Sequence, residues 1–169
     1  EDMPDWLAGR YMPAQSSVIV TRPLTDEEIN AAGWFSNQMV YDSRYLLHYF
    51  RLMPDRRMLF GMRGALMTGS AAEARAIDNV RREFEQFFPA WRHVETPYGW
   101  SGMGCLARDH MPFVGEVPGN KGMYASLCYH GNGVAMGTYC GALAASAILE
   151  ETDTLPFPAA VKTPLSQFE

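Results

Sequence analysis

His130-Gly131-Asn132-Gly133 stands between an apolar run ending at Cys128-Tyr129 and a long helical stretch from Val134 to Glu150. A strand, a glycine loop and a helix start, in that order, leave the first backbone N–H groups of the helix unpaired at the positive end of its macrodipole. Such a place stabilises an anion. The loop is not the G-x-G-x-x-G fingerprint, because Met136 stands where the third glycine would fall. It also comes too late in the chain to be the first βα turn of a nucleotide-binding fold. The helix carries Gly133, Gly137, Gly141 and Ala145 at every fourth position, so one side is nearly bare. A glycine inside a helix costs ~1 kcal/mol relative to alanine. A stripe of them implies close approach by another backbone or a flat ligand; tight packing on a sheet would use the same stripe. Membrane helices pair through this spacing too, but Glu150, Glu151 and the shortness of the apolar run exclude that here.

A second group precedes the loop: Trp100-Ser101-Gly102, then Arg108-Asp109-His110-Met111-Pro112-Phe113-Val114-Gly115. Upstream, Arg51 and Arg63 are the cations to watch, since an arginine can hold a carboxylate in a two-bond fork. The four histidines, His48, His93, His110 and His130, show no metal-ligand spacing. Only His130 stands in the glycine loop. No Ser-His-Asp or Cys-His constellation is present. Cys105, Cys128 and Cys140 form no C-x-x-C pair, so the cysteines read as structural and a reducing, cytoplasmic setting is expected rather than a disulfide framework.

These residues need elements to position them. Residues 1–15 are rich in Pro, Gly and polar groups and read as irregular. Ser17–Thr21 is a β-branched run and predicts a strand. Thr25 and Glu28 form a capping box that starts a short helix, with Leu24 stapled on Ile29 and Gly33 ending it. Tyr45–Met53 and Arg57–Met62, separated by Pro54-Asp55, predict a hairpin. Ser70 and Glu73 form a second capping box. The helix after it carries Ile77, Val80, Phe84, Phe87 and Phe88 on one face until Pro89 stops it, a pattern of core packing. Trp100–Leu106 and Met123–Tyr129 predict strands, with a turn-rich stretch between them, and a Pro-rich tail (Pro156, Pro158, Pro164) follows the last helix. The change of texture near residue 98 divides the chain into lobes of residues 1–97 and 98–169.

The 169 residues suffice to bury a core, and 47% hydrophobic with 20% charged residues is a globular composition. A formal charge of −5 argues against nucleic acid or an anionic membrane surface as partner. Neither a secretory signal nor a stretch of the ~20 apolar residues a membrane span needs is present. Twelve of the fourteen cations are Arg; only Lys121 and Lys162 are Lys.

Taken together, W-x-G at 100–102, D-x-x-P-x-x-G at 109–115, a strand, G-x-G at 131–133 and a small-residue helix resemble the C-terminal signature of the D-amino-acid oxidase-like family of FAD-dependent oxidoreductases. The upstream strand, hairpin (Tyr49-Phe50-Arg51 to Gly61) and amphipathic helix resemble that family's substrate domain, so the resemblance covers essentially the whole chain. Tyr-Phe-Arg and Tyr129-His130-Gly131-Asn132-Gly133-Val134 look most like γ-glutamylputrescine oxidase-type members.

The resemblance implies an α+β fold. It would consist of a mixed or antiparallel sheet with a packed amphipathic helix, followed by the last strands and helix of an FAD-binding domain whose nucleotide-binding half is absent. It implies oxidation of a C–N bond in a small amine or amino acid, with hydride passing to flavin N5 and the imine then hydrolysed. The helix from Val134 would place its positive end at the flavin N1–C2=O edge, and Gly131, Asn132 and Gly133 would bring backbone amides to the ring. Gly102, Asp109, Pro112 and Gly115 would complete the flavin site. His130 and Arg51 are the catalytic candidates, while Tyr49, Arg51 and Arg63 are the substrate-binding ones. No metal is implied.

The sequence also departs from the family. The position of the cysteine that links flavin in sarcosine oxidases is Gly102 here, three residues from Cys105, so non-covalent FAD is expected. The two family lysines fall at Leu59 and Ala135, which argues against the sarcosine manner of holding a small α-amino acid and leaves room for a longer amine. Without its nucleotide half the chain alone is expected to be inactive. The other reading is a free-standing α+β binding module that keeps the framework without redox chemistry.

Overall fold

The computed structural model describes residues 5–64, 70–108 and 110–150. The Pro-rich tail and Asp109 lie outside the described residues. The chain divides into two compact units, one of Ala14–Met103 and one of the described residues up to Pro13 together with those from Gly104 on.

The Ala14–Met103 unit is built on a five-stranded sheet in the order β2-β3-β4-β1-β5. Its strands are β1 (Tyr11–Val20), β2 (Val40–Tyr41), β3 (His48–Leu52), β4 (Met58–Arg63) and β5 (Tyr98–Ala107), of which the residues of β1 up to Pro13 and of β5 from Gly104 on belong to the other unit. The pairs β2/β3, β3/β4 and β1/β4 are antiparallel. The hairpin expected around Pro54-Asp55 is β3–β4, closed with Arg56 in the left-handed region at φ 67°. Its register, Phe50 opposite Phe60 and Tyr49 opposite Gly61, sends alternate residues to opposite faces. Phe50, Leu52, Met58 and Phe60 join the core, whereas Tyr49 and Arg51 point the other way.

Helix α1 (Asp26–Ala31) starts as the sequence indicates. Thr25 Oγ1 accepts the Glu28 N–H at 3.2 Å, and the Glu28 carboxylate accepts the Thr25 N–H at 2.9 Å. Helix α2 (Ser70–Phe87) lays Val80 and Phe84, both without solvent exposure, on the sheet. Phe88 is buried just past its end, and Pro89–Trp91 forms a turn of 3-10 helix. The rings of Trp34, Phe50, Phe60, Phe84, Phe87, Phe88 and Trp91 meet edge-on or stacked in one aromatic core. Glu73, expected in a capping box, accepts the Ser101 N–H of β5 at 3.2 Å.

The second unit contains the antiparallel pair β6 (Phe113–Glu116) and β7 (Tyr124–Leu127) and helix α3 (Gly133–Ile148). Three expectations are corrected. Tyr11–Gln15 are not irregular; they begin β1, because Gln15 backbone and side chain are buried in the sheet and its carbonyl accepts the Gly64 N–H. The turn-rich stretch contains β6, a four-residue strand too short and too broken by Gly115 to read as one. Helix α3 runs from Gly133 to Ile148 rather than from Val134 to Glu150, which sits in the left-handed region at φ 55°. A small core of Leu7, Ala107 and Cys128, flanked by Trp6, Tyr11, Cys105 and Leu127, ties the first residues to this unit.

Candidate functional site

The loop after β7 is conformationally unusual. Cys128 and His130 have φ of 62° and 52°, and Gly131 has φ 88°. Left-handed non-glycine residues cost roughly 1–3 kcal/mol each and persist where their surroundings fix them. Here the Asn132 N–H donates to the Tyr129 carbonyl at 2.9 Å, and the Tyr129 hydroxyl donates to the Ser126 carbonyl at 2.9 Å. The turn delivers Asn132 as N-cap of α3, but its side chain makes no capping bond. The Met136 N–H is the first to find an acceptor inside the helix, on the Asn132 carbonyl. The amides of Gly133, Val134 and Ala135 therefore have no acceptor inside the helix and lie at its positive end, where Val134 is 97% exposed.

Among the described residues, the glycine stripe is open at Gly137 and Gly141. Helix α3 rests on β6 and β7 through its other side, with Cys140 fully buried. Among the described residues, nothing comes within 4 Å of a Cβ placed on Gly137 or Gly141. Helix-to-sheet packing therefore does not use the stripe. His130 stacks on His110, with ring centroids 4.5 Å apart and planes at 20°, which brings the start of the 110–115 segment to the loop. Pro112 is buried, and Gly115 lies in β6 opposite Ala125. Sequence reading left the His110 contact unseen, and no spacing signal could have revealed it.

Tyr49, Arg51 and Arg63 share the face of the sheet turned away from α2. Tyr49 and Arg51 alternate on β3, and Arg63 lies two residues beyond Gly61, the partner of Tyr49. The Tyr49 ring crosses Gly61, and its hydroxyl lies 2.7 Å from that of Ser16. Ser16 was not anticipated, because only the register of β1 with β4 brings it there. Arg51 Nε donates to the Asn37 carbonyl at 3.0 Å. Gly102 lies in β5, in this unit rather than with the loop residues, and no described atom comes within 4 Å of a Cβ placed there. Among the described residues, no three His, Cys, Asp or Glu side chains come together as a metal site, and no helix is long and apolar enough to cross a membrane.

The profile of the family described as "DAO: FAD dependent oxidoreductase" matches residues 3–147. The chain belongs to this family. Within the DAO family it is similar to a "Probable oxidoreductase OrdL" of Haemophilus influenzae, 30% identical over 156 residues, covering 92% of this chain and 34% of that protein. It is also similar to the "Gamma-glutamylputrescine oxidoreductase" of Escherichia coli K12, 34% identical over 143 residues, covering 82% of this chain and 32% of that protein. The chain thus spans about a third of the length of these relatives. Its fold matches the C-terminal part of glycine oxidase from Geobacillus kaustophilus, with a TM-score of 0.67 at 18% identity over 92% of this chain and 39% of that one.

DAO proteins depend on FAD, so the loop can be tested against that group. A flat ring system that gains negative charge needs unpaired amides and an approach not obstructed by side chains. Among the described residues helix α3 offers both: an N-terminus without a side-chain cap and a stripe open at Gly137 and Gly141. The residues present fit the group.

Proposed function

We propose that the protein containing this chain oxidises the C–N bond of an amine or amino acid with FAD, and that residues 98–169 supply the C-terminal part of the FAD domain while residues 1–97 form the substrate-binding lobe. The observation that carries this reading is the uncapped, glycine-faced N-terminus of α3. Bound FAD supplies hydride acceptance from the carbon beside the substrate nitrogen. This chain's residues position and tune that chemistry. The amides of Gly133 and Val134 would stabilise negative charge on the flavin edge, with Gly131 and Asn132, whose N–H is held by the Tyr129 carbonyl, forming the turn that presents them, and Gly102, Asp109, Pro112 and Gly115 would complete the site. His130, held by its stack on His110, and Arg51 are the catalytic candidates.

Tyr49, Arg51 and Arg63 would hold the substrate. The similarity to the γ-glutamylputrescine oxidoreductase of E. coli supports a γ-glutamylated amine, in which a carboxylate lies far from the reacting nitrogen; an arginine fork suits such a carboxylate. FAD would be non-covalent, with Cys105 packed beside Cys128. The rest of the protein would supply the nucleotide half, so this chain alone would be inactive. The odd count of cysteines and the lack of a C-x-x-C pair support a cytoplasmic setting.

The test is optical. The whole protein, purified with excess FAD, is expected to be yellow, to bleach anaerobically with a γ-glutamylated diamine, and to release its flavin on acid precipitation. Gly133→Val is expected to remove the flavin while the Ala14–Met103 unit keeps its far-UV spectrum, since the nearest atom to a Cβ there is Tyr129 Cδ2 at an ordinary 3.6 Å. A colourless whole protein, or a Gly133→Val variant with undiminished flavin, overturns the assignment.

A further inference from the structure

Cys105 on β5 and Cys128, the residue after β7, are 23 positions apart, yet their Sγ atoms lie 2.7 Å from each other. That is little more than the ~2.05 Å of a disulfide bond. Both side chains belong to the small core of the second unit, and they differ in access. Cys105 is half-buried, whereas Cys128 is 6% exposed. The third cysteine, Cys140, is fully buried on α3 and offers an internal comparison.

We propose that Cys105 and Cys128 form a reversible redox pair, closed to a disulfide by a hydroperoxide and reopened by a dithiol. The more accessible Cys105 reacts first. Its thiolate attacks the peroxide O–O bond, an S–O bond forms, and the leaving oxygen takes up a proton to depart as water, leaving a sulfenic acid. The Cys128 sulfur then attacks the Cys105 sulfur. The S–S bond forms, the S–O bond breaks, and hydroxide leaves with the Cys128 proton as a second water. Two thiols have lost two electrons, and hydrogen peroxide has taken them up. The proximity of the second thiol favours this outcome over further oxidation of Cys105 to sulfinic acid. Because Cys128 is the left-handed residue that opens the Tyr129–Gly133 loop, closure of the pair anchors the start of that loop covalently to β5.

The test needs no flavin and is independent of the reading above. The reduced full chain is treated with increasing hydrogen peroxide, denatured, alkylated with N-ethylmaleimide and weighed intact, then digested without reduction. The expected result is a monomer that has lost the mass of two hydrogen atoms, alkylates once, at Cys140, and yields a peptide joining Cys105 to Cys128; dithiothreitol restores all three alkylations. Cys128→Ser is expected to leave a sulfenic acid at Cys105 that dimedone traps. A disulfide involving Cys140, an intermolecular disulfide, accumulation of sulfinic acid at Cys105, or three thiols still alkylating after oxidation would each overturn the proposal.

Discussion

The Tyr49 hydroxyl reaches the Ser16 hydroxyl, 2.7 Å away, by laying its ring across the bare backbone of Gly61. Three strands meet in this contact, since Tyr49 is on β3, Gly61 on β4 and Ser16 on β1. It also fixes the direction of the ring that heads the proposed substrate face.

A methyl group at position 61 would run into the Tyr49 ring. Gly61→Ala is expected to displace the ring, break its bond to Ser16 and cost about 1–3 kcal/mol, the usual range for overpacking. Urea unfolding measures the cost. Adding Tyr49→Ala to Gly61→Ala should recover part of it, because the two sites are coupled. If Gly61→Ala leaves the midpoint unchanged, the ring does not occupy that position.

Glu28 ties α1 to its surroundings through four groups. Its carboxylate takes both guanidinium N–H groups of Arg22 at 2.7 and 2.9 Å, the Thr25 N–H, and His93 Nε2 at 2.9 Å. The Arg22 bonds, helped by the Thr25 amide and by His93, hold its pKa down at about 2, from an ordinary 4.5. A folded pKa below the unfolded one means that the unfolded chain binds the proton more readily. The stabilisation is therefore complete above about pH 4.5 and is lost as the pH falls towards 2. Glu28→Gln can still cap the helix but cannot titrate. Its unfolding midpoint should be lower than that of the unaltered chain at neutral pH and flatter below pH 4.5. Parallel slopes for the two proteins in acid would refute the linkage.

His48 is 1% exposed between the rings of Phe60 and Phe87. Asp42 serves it twice, accepting its backbone N–H at 3.1 Å and facing Nδ1 at 2.7 Å. Burial alone would raise the Asp42 pKa, but the hydrogen bonds from His48 and the Arg44 amide outweigh it and bring the pKa down. Asp42→Ala removes the acceptor of the His48 N–H and leaves Nδ1 only the Arg44 guanidinium at 3.4 Å, and a buried polar group left without its partner costs about 1–3 kcal/mol. Chemical denaturation should show that loss, and a change within measurement error would mean that the Asp42 contacts contribute nothing net.

Local signals in the sequence were read well where physics keeps them local. Thr25 and Glu28 are three residues apart and make the capping box that their types require. Pro54-Asp55 marks the hairpin, and the spacing of Val80 and Phe84 marks the buried face of α2. The family resemblance rested on the order of Gly102, Pro112, Gly115, Gly131 and Gly133, and the family match confirms it. What escaped reading depends on register or on approach through space. Ser16 meets Tyr49 only because β1 pairs with β4, and His110 meets His130 only once the chain has folded back. Strand β6 is four residues long and includes a glycine, so neither alternation nor β-propensity could distinguish it from a turn. The open side of α3 was visible as a stripe, but the sequence could not say which surface it would leave uncovered.

Leu7 packs with Ala107 and Cys128, although a hundred residues separate it from the first of them. The unit that carries the glycine loop is thus assembled from both sides of the Ala14–Met103 unit. As the chain leaves the ribosome, the aromatic core of the Ala14–Met103 unit has all its parts once Trp91 and Val94 have emerged, so this core can begin to form while translation continues. The unit with the glycine loop also needs β6, β7 and α3, which are synthesised later. Within this chain, synthesis thus delivers the residues of the aromatic core before the loop of Cys128 and His130.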